Sequence, residues 1–79
     1  MPLQLMSRPQ CHLCDLAMEL LVKAGLSGRV EVVNIEPQLS LVSRYGDRVP
    51  VLVDSASGRD LGWPLDAASL QAYLDQLED

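Results

Sequence analysis

The sequence predicts an α/β domain built on a four-stranded mixed sheet flanked by three helices. Apolar and β-branched runs alternate with helical stripes in the order strand, helix, strand, short helix, β-hairpin and helix. A chain of 79 residues is too short for two cores. Its 48% hydrophobic and 22% charged residues are typical of a globular protein, so we expect residues 1–79 to form a single domain.

The first strand and first helix are predicted from two different periodicities. Leu3 and Leu5 point to one side of a strand over residues 3–6, and the polar residues 7–10 interrupt it. An apolar stripe at i, i+3, i+4, i+7, i+8 and i+11 then predicts a long helix, which Gly25 is expected to end. The predicted stripe consists of Leu13, Leu16, Ala17, Leu20, Leu21 and Ala24.

The next two elements are a second strand and a short helix. Residues 29–35 are rich in β-branched side chains, and a right-handed crossover would place this strand parallel to the first. Pro37 is expected at the first position of the short helix, and Gly46 at its end. The expected buried side consists of Leu39, Val42 and Tyr45.

A hairpin and a last helix complete the prediction. Residues 51–53 suit a strand that is buried on both faces, residues 54–58 suit a turn, and residues 59–61 the returning strand. Asp66 is a good N-cap, and Leu65 before it is expected to pack on a leucine in the helix. The stripe of this helix consists of Leu70, Tyr73, Leu74 and Leu77.

Charge and hydropathy exclude several classes of partner. The net charge is −5 and the cations are scattered, which argues against nucleic acid. No apolar run approaches the ~20 residues of a membrane span, and the N-terminus lacks the pattern of a signal peptide. We therefore expect a cytoplasmic protein. The six cations are Arg8, Lys23, Arg29, Arg44, Arg48 and Arg59.

Cys11 and Cys14 are the two cysteines of the chain, and their spacing favours a reactive pair over a structural cross-link. A bridge across so short a loop stabilises a fold little, and secreted disulfide scaffolds use more cysteines. Cys11 falls just before the first helix, where free amides and the helix dipole favour an anion. Its thiol pKa should therefore lie below the free value of ~8.5. We expect Cys11 to attack a substrate disulfide and Cys14, in the first helical turn, to resolve the mixed disulfide.

Three neighbours are expected to tune the pair. Arg8 and a protonated His12 favour a thiolate on Cys11, whereas a carboxylate at Asp15 opposes it. Each residue also has a plainer interpretation: Arg8 as a surface charge, His12 as a solvated side chain and Asp15 as a helix-terminus carboxylate.

A different chemistry for the same cysteines stays open. Zinc prefers four ligands, and His12 is the one spare imidazole, so we predict no metal site within the chain. A metal or iron–sulfur carrier that uses the same cysteines, and a non-catalytic interaction module, are the alternatives to a redox enzyme.

Three segments resemble a known family. Ser-Arg-Pro-Gln-Cys-His-Leu-Cys at residues 7–14 resembles the active-site entry of glutaredoxins and their relatives in the thioredoxin-fold superfamily. Tyr-Gly-Asp-Arg-Val-Pro-Val-Leu at residues 45–52 is similar to the segment that carries the family's cis-proline, and residues 62–66 resemble the loop into the last helix. The CHLC centre is most similar to small bacterial glutaredoxin-like proteins. The resemblance spans essentially the whole chain and implies a thioredoxin/glutaredoxin-like fold with thiol–disulfide oxidoreductase activity.

The resemblance also implies roles for individual residues. It implies that the Val49–Pro50 bond is cis, that Pro50 lies against the cysteine pair, and that the N–H and C=O of Val49 are free to pair with an extended substrate. A trans proline at a strand start is the plainer alternative. Trp63 would form a wall of the substrate groove or pack over the sheet edge. Asp66 and Arg8 would hold the two ends of glutathione.

Three departures from the glutaredoxin pattern weaken the expectation of glutathione binding. The centre is CHLC rather than CPYC, Arg48 replaces a common threonine, and Gly62 is followed by Trp63 rather than by a second glycine. We expect no tightly bound cofactor, with glutathione as a possible co-substrate. The expected substrate is a disulfide in a protein or small molecule, and the expected reductant is glutathione or a thioredoxin-type reductase.

Overall fold

The computed structural model describes residues 3–26 and 28–78, and it confirms the predicted order of elements. Within this part of the chain no helix is long and apolar enough to cross a membrane. The strands are β1 (Leu3–Ser7), β2 (Val30–Asn34), β3 (Val51–Asp54) and β4 (Asp60–Gly62). The helices are α1 (His12–Lys23), α2 (Leu39–Tyr45) and α3 (Ala67–Glu78). Several strand ends differ from the predicted ones by one residue, which is the usual uncertainty of element boundaries.

The four strands form one mixed sheet in the order β2-β1-β3-β4. β1 pairs with β2 in parallel and with β3 antiparallel, and β4 returns antiparallel to β3. The register places Leu5 between Val32 of β2 and Leu52 of β3. β1 and β3 therefore occupy the centre of the sheet.

The core lies on both faces of this sheet. Successive residues of a strand point to opposite faces. Leu52 packs in one cluster with residues of α1 and α3, whereas Val51 and Val53 pack in a second cluster with Tyr45 of α2. The predicted burial of β3 on both faces is thus confirmed. The first cluster contains Leu3, Leu5, Ala17, Leu21, Leu26, Leu52, Leu65, Leu70 and Tyr73, and the second contains Met6, Ile35, Tyr45, Val51 and Val53.

The buried face of α1 differs from the predicted stripe. Cys14, Ala17 and Leu21 are buried, whereas Leu13 is 40% and Leu16 37% exposed. The buried residues are spaced i, i+3 and i+7, and at about 100° per residue this places Leu13 about 70° and Leu16 about 130° around the helix from the centre of the contact. Ala24, also predicted in the stripe, is the exposed C-cap. The helix turns Cys14, rather than Leu13, towards the core.

The start of α2 also differs from the prediction. Gln38 is the N-cap, so Pro37 precedes the helix instead of occupying its first position. Leu39, predicted to be buried, is 85% exposed. Leu41 and Val42 pack against the second cluster instead. Leu39 lies about 110° around the helix from the middle of the contact that Leu41 and Val42 make, which leaves it outside that contact.

The hairpin between β3 and β4 forms where the sequence predicts it. Asp54 and Arg59 close it through a backbone hydrogen bond of 2.9 Å from Asp54 N–H to Arg59 O. The Ser57 hydroxyl donates to Asp54 Oδ2 at 2.6 Å, which lowers the pKa of the Asp54 carboxyl. The Tyr73 hydroxyl donates to Arg59 O at 2.8 Å, and burial raises the pKa of Tyr73 to about 12. The bond from Tyr73 attaches the hairpin to α3.

Gly25 ends α1, as predicted, in a Schellman motif. The N–H of Leu26 donates to Leu21 O at 2.9 Å, and the N–H of Gly25 to Val22 O at 3.0 Å. Gly25 has φ +77°, a left-handed conformation that costs an L-residue free energy. Leu26 and Leu21 are both buried in the first cluster, which completes the apolar contact typical of this motif.

We expect Gly25→Ala to lower the free energy of unfolding by about 1 kcal/mol. The matched control is Gly28→Ala, because a Cβ at either glycine meets no atom within 4 Å, and the positive φ belongs to Gly25. Urea unfolding of both variants measures the difference. Equal stabilities of the two variants would contradict a conformational origin.

Candidate active site

Cys11 and Cys14 lie at the N-terminus of α1 in unequal environments. Cys11 is the N-cap, with extended φ −103° and ψ 104°, and its Sγ accepts the N–H of Cys14 at 3.2 Å. Its carbonyl accepts the N–H of Asp15 at 3.1 Å, which begins the helix. Cys11 is half-buried, whereas Cys14 is 4% exposed. The more accessible sulfur is therefore the one that receives a helix amide.

A disulfide joins the two Sγ atoms, with the Cα atoms 5.2 Å apart. Gln10, immediately before the pair, has φ 58°. A left-handed conformation is uncommon for a residue other than glycine, and such residues cluster at functional sites. The chain thus turns sharply between β1 and α1, and this turn places Cys11 at the N-terminus of the helix.

The Val49–Pro50 bond is cis, as the resemblance implies, and Pro50 is fully buried. Pro50 leads directly into β3, whose Val51 is paired with Met6 near the end of β1. The connection to Cys11 leaves β1 at this same end. The sheet register therefore brings the proline loop and the cysteine loop to one edge of the molecule.

The prediction that both backbone groups of Val49 are free is wrong for the N–H. This N–H donates to the carbonyl of Tyr45 at 3.0 Å, as does the N–H of Arg48 at 2.8 Å. Both bonds arise because the turn after α2 satisfies the last carbonyl of the helix. Within the described residues the carbonyl of Val49 accepts no hydrogen bond, so it is the group left for an extended ligand.

Arg8 contacts two segments that the sequence did not link to it. Its Nη2 lies 3.4 Å from Glu36 Oε2, and its Nη1 donates to Gly46 O at 3.4 Å. The side chains of Arg8 and Glu36 are 42% and 47% exposed. Sequence reasoning missed Glu36, because its contact with Arg8 depends on the pairing of β1 with β2.

The remaining charges near the site are held in different ways. His12 is exposed at the first position of α1, and Asp15 is exposed in its first turn, where a carboxylate suits the helix dipole. The guanidinium of Arg48 lies 5.9 Å from the centre of the Tyr45 ring, and its Nη2 lies 3.5 Å from Asp60 Oδ1. Arg48, which replaces the expected threonine, thus connects the proline loop to β4.

Asp66 is the N-cap of α3, as predicted. Its Oδ1 accepts the N–H of Ser69 at 2.7 Å, and the Ser69 hydroxyl accepts the N–H of Asp66 at 3.1 Å. The hydrogen bonds from Ser69 lower the pKa of the Asp66 carboxyl. Leu65 and Leu70 share the first core cluster, in agreement with the predicted staple. The Asp66 carboxylate is therefore already engaged within the protein.

Trp63 is half-buried and packs against the first core cluster, which agrees with the packing interpretation of this residue. The Trp63–Pro64 bond is a second cis peptide, which the sequence analysis did not predict. Among the described residues no three His, Cys, Asp or Glu side chains are grouped as metal ligands.

Comparison with known proteins identifies the family. The family described as "Glutaredoxin-like domain (DUF836)" matches residues 2–75. The X-ray structure of protein XcR50 from X. campestris is 49% identical over 94% of this chain and 96% of that one, with a TM-score of 0.83. The solution structure of the same protein is also 49% identical, with coverages of 96% and 95% and a TM-score of 0.81.

A third similar structure has lower sequence identity. The solution NMR structure of protein Ne2328 from Nitrosomonas europaea is 32% identical over 90% of this chain and 87% of that one, with a TM-score of 0.69. No curated protein matches the chain. A domain of this kind with Cys11 and Cys14 paired at a helix N-terminus fits a redox role. Since the family match spans nearly the whole sequence, the chain belongs to the glutaredoxin-like domain family.

Proposed function

We propose that the protein is a thiol–disulfide oxidoreductase that cycles Cys11 and Cys14 between dithiol and disulfide. The observation that carries this proposal is the hydrogen bond from Cys14 N–H to Cys11 Sγ at 3.2 Å. In the reduced protein the same amide and the helix dipole favour a thiolate on Cys11. The burial of Cys14 suits the resolving thiol, because outside disulfides reach Cys11 first.

Each step of the cycle conserves atoms and electrons. The Cys11 thiolate attacks one sulfur of the substrate disulfide, and the other substrate sulfur leaves as a thiolate that takes up a proton. Cys14 then loses its proton and attacks Cys11 Sγ, which releases the second substrate thiol. The substrate gains two electrons and two protons, and the protein is left with its disulfide.

Two features near Cys11 support a proposal for the substrate. The carbonyl of Val49 is suited to accept an N–H from an extended substrate segment. Leu13 and Leu16 offer partly exposed apolar surface on the same helix. We therefore propose a disulfide in a protein or small molecule as substrate, with glutathione or a thioredoxin-type reductase as reductant. A cytoplasmic location would keep the pair supplied with reducing equivalents.

Equilibration in redox buffers tests the proposal. The protein is incubated in dithiothreitol buffers and, separately, in glutathione buffers of graded potential; its thiols are then alkylated and counted by mass spectrometry. We expect both thiols to appear together as one two-electron transition, and the reduced protein to reduce hydroxyethyl disulfide. A pair that stays oxidised in strongly reducing buffer, or a reduced protein without activity, would refute the proposal. Metal analysis of anaerobically purified protein tests the carrier alternative.

A further inference from the structure

We propose that Glu36 determines substrate specificity by occupying Arg8, so that the site disfavours disulfides with a carboxylate near the sulfur. This class includes glutathione disulfide. The inference deepens the proposed function and rests on it, because substrate specificity requires that the cysteine pair reduces disulfides. Its physical basis is the ion pair between Glu36 and Arg8, the cation that precedes the cysteine pair.

The register of the sheet brings Glu36 to Arg8. Ser7, the last residue of β1, is paired with Asn34, the last residue of β2. The two strands are parallel, so the residues that follow them emerge at the same edge. The N–H of Ile35 donates to Ser7 O at 3.0 Å, and Asn34 Oδ1 accepts the N–H of Glu36 at 3.0 Å. The backbone that carries the Glu36 carboxylate is thus fixed beside Arg8.

Arg8 is close enough to Cys11 to influence a ligand bound there. The two residues are three positions apart, so their Cα atoms lie no more than about 11 Å from each other. Its second contact, with Gly46 O, directs it towards the segment that leads to the proline loop. The guanidinium therefore contacts the connection after β2, at Glu36, and the segment that leads to Pro50, at Gly46.

Two arginines that flank Tyr45 and the proline loop are also engaged. Arg48 is paired with Asp60 at 3.5 Å, and Arg44 lies 5.6 Å from the centre of the Tyr45 ring. A substrate carboxylate that approached Arg8 would have to displace Glu36 and would meet its negative charge. Removal of that charge frees Arg8 and leaves its positive charge unpaired for an anionic ligand.

The test measures the reaction of Cys11 with reagents of defined charge. In the reduced Cys14→Ser protein, the Cys11 thiolate attacks a methanethiosulfonate, forms a new S–S bond and releases methanesulfinate. The reagents are neutral methyl methanethiosulfonate and anionic sulfonatoethyl methanethiosulfonate. The readout is the ratio of the anionic to the neutral rate constant, because a general change in thiolate reactivity cancels in this ratio.

We expect Glu36→Gln to raise this ratio about two- to fivefold, the range that exposed ion pairs allow. The matched control is Glu31→Gln, which changes the net charge equally. Glu31 accepts a hydrogen bond from Gln4 and lies about 10 Å along β2 from Asn34, the end of the strand beside Arg8, which exceeds the Debye length of about 8 Å at physiological salt. The control should leave the ratio unchanged. In an Arg8→Gln background, Glu36→Gln should have a smaller effect, because it then removes the direct repulsion alone and has no cation to free.

Two results would overturn the proposal. One is an equal ratio in the Glu36→Gln and Glu31→Gln proteins, and the other is an undiminished effect of Glu36→Gln without Arg8. Both glutamates are exposed, so the variants are expected to fold, and thermal unfolding checks this. The reagents modify any accessible thiolate. A failure of this inference is therefore distinct from a failure of disulfide turnover, which the redox-buffer experiment measures.

Discussion

Replacement of Cys11 by serine is expected to abolish disulfide reduction while leaving the fold intact. A serine hydroxyl is not ionised near neutral pH and cannot form the mixed disulfide, so turnover should fall by at least about 10³-fold. Serine is a preferred N-cap, and its Oγ can replace Cys11 Sγ as the acceptor of the Cys14 N–H. The measurements are turnover of hydroxyethyl disulfide and the circular dichroism of the helices.

Two further variants separate the roles of the sulfurs. Cys14→Ser keeps the attacking thiol, so we expect a stable mixed disulfide with a protein substrate, visible as a mass increase that dithiothreitol reverses. Cys11→Ala loses both the thiol and the cap, and should be less stable than Cys11→Ser by about 1 kcal/mol. An active Cys11→Ser protein would transfer the attacking role to Cys14 and contradict the assignment.

Leu21→Ala is expected to lower the free energy of unfolding by about 3–5 kcal/mol. Leu21 is fully buried on the inner face of α1, and its truncation leaves a cavity in the first core cluster. A chain of 79 residues has a total stability of about 4–12 kcal/mol, so this one change removes a large part of it. Urea unfolding followed by circular dichroism measures the loss.

Leu16→Ala is the matched control on the same helix. Leu16 is 37% exposed, so the substitution removes less buried surface and should cost below about 1 kcal/mol. The comparison tests the observed orientation of α1 against the stripe predicted from sequence, in which both leucines are buried. Equal losses for the two variants would support the predicted stripe instead.

The sequence predicted the elements better than the faces they bury. The apolar stripe of α1 was broad enough for more than one orientation of the helix. Hydrophobicity alone could not predict that Cys14 is more deeply buried than Leu13. Proline is compatible both with the first turn of a helix and with the position before the N-cap. In the structure Pro37 takes the second position, and Leu41 and Val42 provide the packing of α2. Such choices depend on contacts between elements, which periodicity within one element does not contain.

The centre of the site was predictable, and its surroundings were less so. The placement of Cys11 and the cis bond at Val49–Pro50 follow from local pattern and family resemblance. The contact of Glu36 with Arg8 depends on strand register, and the bond from Val49 N–H to Tyr45 O depends on how α2 ends. The cis bond before Pro64 was not predicted from the sequence.

The inward orientation of Cys14 makes the redox centre part of the packing between helix and sheet. Ala17, one turn further along the same face, is fully buried, and a side chain this small lets α1 lie close to the strands. The spacing between helix and sheet therefore sets how deeply the second sulfur lies below the surface. A change in side-chain volume along this face is therefore expected to change how deeply Cys14 is buried.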